Sequence, residues 1–158
     1  GLKIMQNKIN VKRVQKKYFI NKYYCPDLPF YFSKKLNSFA NTSIDVSDGL
    51  ISDMERLINK QNLSFEINLN NIPISKNLDI FLNKSNKSKK DYVFNGDDYQ
   101  LLFTSSKKNR TLIKSIAKKM NQKVTIIGKI NNQNQKNLLK LDDKSLKLAN
   151  YRGYSHKF

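Results

Sequence analysis

Short apolar–polar alternations separated by helically spaced apolar runs recur along this chain. Ile44 and Val46 alternate with Ser43, Asp45 and Ser47, which predicts a half-buried strand over 42–47. Gly49 breaks it, and Leu50, Met54, Leu57 and Ile58 then recur at helical spacing, predicting a helix over 49–60. Phe65, Ile67 and Leu69 alternate with Ser64, Glu66 and Asn68 as a second strand. An apolar run at 99–104 has strand length, and a helix over about 107–120 presents Leu112, Ile116 and Met120. Val124, Ile126, Ile127 and Ile130 form a further strand, in which Gly128 marks a bulge or a close backbone approach. Leu138, Leu139 and Leu141 give a weaker one.

The first 24 residues are basic and apolar by turns, and Val11, Val14, Tyr18 and Phe19 predict an amphipathic helix. Pro26 places its boundary at Cys25. A second helix is expected over about 28–39, with Phe32, Leu36 and Phe39 as its inner stripe. Pro73 opens a turn, Leu78, Phe81 and Leu82 predict a short helix, and the polar stretch 83–90 reads as an exposed loop. Together these elements predict an α+β fold, a mixed sheet layered with helices that lie mainly on one face. One domain is expected over 1–158, with entry helices at 1–40 and an α/β body at 41–158.

Bulk properties narrow the function. With 158 residues, 39% of them apolar, the chain can bury a core. No apolar run approaches the length of a membrane span, and Lys3, Lys8, Lys12 and Arg13 interrupt anything resembling a signal peptide. The first residue is Gly1 rather than Met, which suits a processed or excised piece. Cys25 is the single cysteine, so no internal disulfide forms and a reducing compartment, the cytoplasm, is expected. One cysteine and one histidine, His156, argue against an all-protein zinc site. The formal charge is +18, but only Arg13, Arg56, Arg110 and Arg152 of the 30 basic residues are arginine. Bidentate phosphate and base recognition favours arginine, and the lysines are spread over most of the chain. A solvated basic surface is therefore the better reading, and nucleic acid is not the expected partner. A non-catalytic Lys-rich domain binding RNA or another anionic surface is the runner-up.

The chemistry concentrates in two acidic turns. Asp45-Val46-Ser47-Asp48-Gly49-Leu50 runs from strand to helix, with Asp53 one turn further on. Carboxylates gathered there repel unless a cation or a metal-bound phosphate lies between them. The second turn is Gly96-Asp97-Asp98-Tyr99-Gln100-Leu101-Leu102-Phe103-Thr104. No G-x-x-x-x-G-K-[ST] loop occurs, which excludes a P-loop kinase. From the residues alone, Ser47 either contacts phosphate or caps the following helix, and Asp53 either caps or pairs with a lysine. Asp98 reads as an Asx-type residue bonding the turn backbone.

These two turns, the Val124–Ile130 strand and the closing Gly153-Tyr154-Ser155-His156 together resemble the thiamine-monophosphate kinase family, over nearly the whole chain but only the C-terminal half of the enzyme. That family is similar in fold to aminoimidazole ribonucleotide synthetase and selenophosphate synthetase. The resemblance implies transfer of a phosphoryl group from ATP to thiamine monophosphate, giving thiamine diphosphate, with magnesium as cofactor. It implies Asp45 and Asp48 as magnesium ligands, Ser47 as a contact to the ATP phosphates, and Asp97 and Tyr154 as contacts to the thiamine phosphate substrate. Asp97 stands where the family usually has glutamate, and Lys157 separates His156 from the terminal Phe158, where the family aromatic follows directly. The resemblance further implies an N-terminal ATP-binding domain, absent from this sequence, a homodimer, and little activity from this piece alone.

Overall fold

The computed structural model describes residues 1–59, 61–132, 136–142, 144–146 and 148. The helices are α1 (Leu2–Met5), α2 (Arg13–Tyr24), α3 (Phe30–Ser33), α4 (Leu50–Leu57), α5 (Lys76–Ser85) and α6 (Arg110–Lys119). The strands are β1 (Ala40–Val46), β2 (Leu63–Asn68), β3 (Gln100–Ser105), β4 (Gly128–Asn132), β5 (Leu138–Leu141) and β6 (Lys144–Leu146). The α+β class and the mixed sheet expected from the sequence are present. The strands divide into two groups, a division that periodicity does not reveal. β1 and β3 form an antiparallel ribbon, while the other four make a sheet in the order β4-β2-β5-β6. Within that sheet β2 and β5 run parallel and the remaining pairs antiparallel.

Two apolar cores follow from strand alternation. Phe65, Ile67 and Leu139 from the four-stranded sheet, with Leu69 just beyond β2, are fully buried against Ile51, Met54 and Leu57 of α4, and Val46 and Leu102 join them from the ribbon. Leu101 and Phe103, one residue to either side of Leu102, pack instead with Phe32, Phe39, Ala117, Ile113 and Ile116. Successive strand residues point to opposite faces. The ribbon is therefore covered by α4 on one face and by α3 and α6 on the other, which corrects the expectation of helices mainly on one side.

Several element boundaries also move, each for an identifiable reason. The expected helix over 28–39 is broken into α3 and a 3-10 turn at Leu36–Ser38. The Ser33 hydroxyl donates to the Phe30 carbonyl at 2.8 Å and Ser38 to that of Lys35 at 2.6 Å, competing with helical bonding. Phe32 and Phe39 are meanwhile fixed against Phe103. In α2 the presumed inner residue Val14 is 79% exposed, and Gln15 is buried in its place, donating to the Asn77 carbonyl at 3.2 Å. α5 is capped by Ser75 and continues to Ser85, into the stretch expected to be loop, stopping at Asn86 in the left-handed region. Beyond it, the Lys89 ammonium donates to the Asn70 and Ile72 carbonyls at 3.0 and 2.9 Å, tying residues 69–72 to the segment before the second acidic turn. The strand expected over 124–130 begins only at Gly128. Gly128 makes the predicted close approach, since a Cβ there would lie 2.1 Å from the Glu66 carbonyl oxygen.

Phe65 is completely buried at the centre of the larger core. Phe65→Ala is expected to lower stability by about 3–5 kcal/mol, the usual range for deleting a buried aromatic side chain. Urea denaturation checks this, with the slope unchanged and the midpoint shifted down.

Candidate functional site

The site is built where the β1–α4 turn meets the segment leading into β3. β1 ends at Val46, and Gly49, at φ 114°, serves as the N-cap of α4 without any side-chain capping bond. That backbone angle suits glycine alone, and it decides between the two readings of Ser47, which is not the cap. The facing loop bonds directly to the turn: Asp97 donates its backbone N–H to the Ser47 carbonyl at 2.9 Å, and Tyr99 to that of Val46 at 2.8 Å. A Cβ on Gly96 would lie 1.9 Å from the Ser47 carbonyl oxygen, so only glycine lets the two backbones come this close. The two acidic motifs, about fifty residues apart in sequence, are thus one structure.

The turn is held from inside by Asp53. This carboxylate is fully buried, and one of its oxygens accepts the backbone N–H groups of both Ser47 and Asp48, each at 3.0 Å. The other oxygen accepts from Arg56 at 3.2 Å. Arg56 also pairs with Asp48, so one guanidinium is shared between two carboxylates. Asp53 is therefore structural, and its charged partner is an arginine rather than a lysine. The Asp53-x-x-Arg56 spacing on one helix face was the sequence signal for this pair.

The predicted site residues separate into two groups. Ser47, Asp48, Asp97 and Asp98 line a broad cleft. No described hydrogen bond occupies the Ser47 hydroxyl, which leaves it available within the cleft. Asp48 keeps 16% of its side chain exposed beside Arg56. Asp45 is exposed and lines an adjoining groove of about 180 Å³ with Leu28, Pro29, Phe30 and Tyr99. Arg56 thus lies between Asp48 and Asp53, and Asp45 is not among its ion-pair partners. Among the described residues, no group of three metal-ligating side chains forms. Tyr154 and His156 lie outside the described residues.

Asp97 has φ 66°, a left-handed conformation that short polar side chains adopt more readily than long ones. Asp98 makes no described side-chain bond to the turn backbone, against expectation; its carbonyl accepts from Gln100 instead. The residue is exposed, while neighbouring protein atoms still take part of the water from its carboxyl. That desolvation, followed by the charge of Asp97, pushes its pKa up to about 6.

Two predictions follow from these geometries. Asp53→Asn keeps the shape but removes the charge from three hydrogen bonds, and should cost about 2–3 kcal/mol in chemical denaturation. For Asp98, the raised pKa means the folded state holds the proton more tightly than the unfolded chain, so ionisation destabilises the fold. Asp98→Asn should leave the melting temperature unchanged below pH 3.8, raise it progressively between 3.8 and about 6, and keep the full gain above that. Thermal melts across that range read the effect.

Comparison with known proteins places the arrangement in context. Residues 40–139 match the sequence profile of the family described as AIR synthase related protein, C-terminal domain. Thiamine-monophosphate kinase of Buchnera aphidicola subsp. Acyrthosiphon pisum is 39% identical over 132 residues, covering 82% of this chain and 40% of that protein. Thiamine-monophosphate kinase of Escherichia coli K12 is 27% identical over 157 residues, covering 99% of this chain and 48% of that protein. The solved structure described as "AaThiL complexed with AMPPCP and TMP" superposes with a TM-score of 0.76 at 25% identity, covering 99% of this chain and 46% of the other. The chain thus spans less than half the length of these relatives. The matched segment runs from β1 to Leu139 of β5 and contains both acidic turns, and on that ground the chain belongs to the AIR synthase related family, of which it carries the C-terminal domain.

Proposed function

We propose that this chain is the C-terminal half of a thiamine-monophosphate kinase, which phosphorylates thiamine monophosphate to thiamine diphosphate with ATP and magnesium. The one observation that carries this reading is the backbone union of the two acidic turns through the Ser47 carbonyl, which sets Ser47, Asp48 and Asp97 on one cleft. Relatives bearing that enzyme's name, and a solved relative described with AMPPCP and TMP, support it. The rest of the proposal is an N-terminal ATP-binding half, a homodimer and a cytoplasmic setting. No helix among the described residues is long and apolar enough to cross a membrane.

The donors fit magnesium in kind. Asp45 and Asp48 offer carboxylate oxygens from two sides of one turn, and magnesium commonly takes one or two carboxylates while phosphates and water fill its remaining positions. When bound, the metal supplies neutralisation of the charge on the transferring phosphoryl group. The protein supplies position. The Asp53 carboxylate fixes the backbone from which Ser47 and Asp48 project, so these groups need little reorganisation when substrate arrives. Ser47 donates its hydroxyl to a nucleotide phosphate. Asp97 contacts the thiamine phosphate substrate, and Tyr154 stacks on its cationic ring.

The test is thiamine diphosphate formation by the full-length protein with ATP and magnesium. Asp48→Ala should reduce kcat/KM by about hundredfold or more, since losses of outer-shell groups around a metal already cost about 10–100-fold. Failure of the unaltered full-length protein to convert thiamine monophosphate overturns the proposal.

A further inference from the structure

Of the asparagines in this chain, only Asn95 is followed by glycine, and that pair lies at the junction of the two acidic turns. An Asn-Gly bond is chemically vulnerable because nothing shields the glycine nitrogen from the preceding amide carbon. Ordinarily the hazard is removed by replacing the glycine. Here that route is closed, since any side chain at 96 would meet the Ser47 carbonyl.

The surroundings of Asn95 favour the reaction. The Lys3 ammonium donates to its Oδ1 at 2.9 Å, drawing electrons from the amide carbon and standing ready to stabilise an oxyanion there. Against it, Nδ2 donates to the Asp91 and Tyr92 carbonyls, each at 3.2 Å, two bonds that must break before ammonia leaves. Asn95 donates its own backbone N–H to Tyr92 and Asp97 donates its own to Ser47, whereas the intervening Gly96 N–H has no described hydrogen bond. The nucleophile is free and the electrophile is polarised.

We propose that Asn95 is a site of self-modification, deamidating through a cyclic imide within the folded protein. The Gly96 nitrogen attacks the Asn95 side-chain carbon and forms the ring. The bond from that carbon to Nδ2 breaks, and Nδ2 leaves as ammonia with the proton given up by Gly96. Water then opens the ring at one of its two carbonyls, giving aspartate or isoaspartate. Either product puts a new carboxylate two residues from Asp97 and turns the Lys3 contact into an ion pair. Isoaspartate also lengthens the backbone by one methylene immediately before the Gly96–Ser47 contact that aligns the two turns. Asp48-Gly49 is a neighbouring control: its carboxylate is paired with Arg56, and an ionised carboxylate resists the same attack.

The experiment incubates the folded protein at neutral pH and follows tryptic peptide 91–107 by mass spectrometry, with isoaspartyl methyltransferase labelling and ammonia release as second and third readouts. The expected native rate is no less than about a third of that of the same peptide free in solution, with Asp48-Gly49 unchanged. Lys3→Met, confirmed as folded by circular dichroism, should slow conversion by about threefold, the weight of one hydrogen bond to the developing oxyanion. A native rate slower than that third, or one indifferent to Lys3→Met, overturns the proposal. None of these readouts depends on kinase activity, so their failure leaves the proposed function untouched and the reverse also holds.

Discussion

A single buried carboxylate organises this molecule's chemistry. Asp53 has no contact with solvent and gathers the N–H groups of Ser47 and Asp48 onto one oxygen. Those two donors belong to a turn whose next residue, Gly49, starts a helix without a side-chain cap. Buried polar groups of this kind need partners, and here each supplies the other. Arg56 balances the charge that Asp53 brings inside and reaches Asp48 as well. The consequence is an acidic turn whose backbone is held by side chains of the helix that follows it.

The second constraint is steric. Glycine at 96 allows the loop to lie against the Ser47 carbonyl, and bonds from Asp97 and Tyr99 close the junction. The ribbon below it is sandwiched, since Leu102 faces one core and Leu101 and Phe103 the other. A site whose backbone is clamped from inside and paired across a loop suits charge stabilisation, where fixed dipoles and carboxylates must not relax during the reaction. The same tight junction retains an Asn-Gly pair that freer loops could discard.

Much of this was legible in the amino-acid sequence. Alternation of Ile44 and Val46, and of Phe65 and Ile67, located β1 and β2, and helical spacing at 50–58 located α4. These segments succeed because burial on one face leaves an unambiguous period. The region 28–39 was misread as one helix because serine hydroxyls and the contacts of Phe32 and Phe39 with Phe103 override its local spacing. Val14 misled for a related reason: an apolar residue at the right spacing was left outside while Gln15 found a buried partner across the chain. At the site, the cluster of acids was visible but its division was not. Strand alternation turns Asp45 away from Val46, and only the tertiary structure shows that it lines a groove adjoining the cleft of Asp48. Arg56 was legible as a partner of Asp53 from their spacing on one helix face, but its second partner, Asp48, eight positions back in the preceding turn, was not.

The central claim is that the turn around positions 45–48 holds a magnesium-bound polyphosphate. Isothermal titration of the full-length protein with magnesium and a non-hydrolysable ATP analogue tests it most directly. Saturable uptake that requires the metal and disappears in a doubly substituted Asp45→Ala, Asp48→Ala protein is the predicted result. Uptake that persists undiminished in that double variant, or no uptake by the unaltered protein, contradicts it.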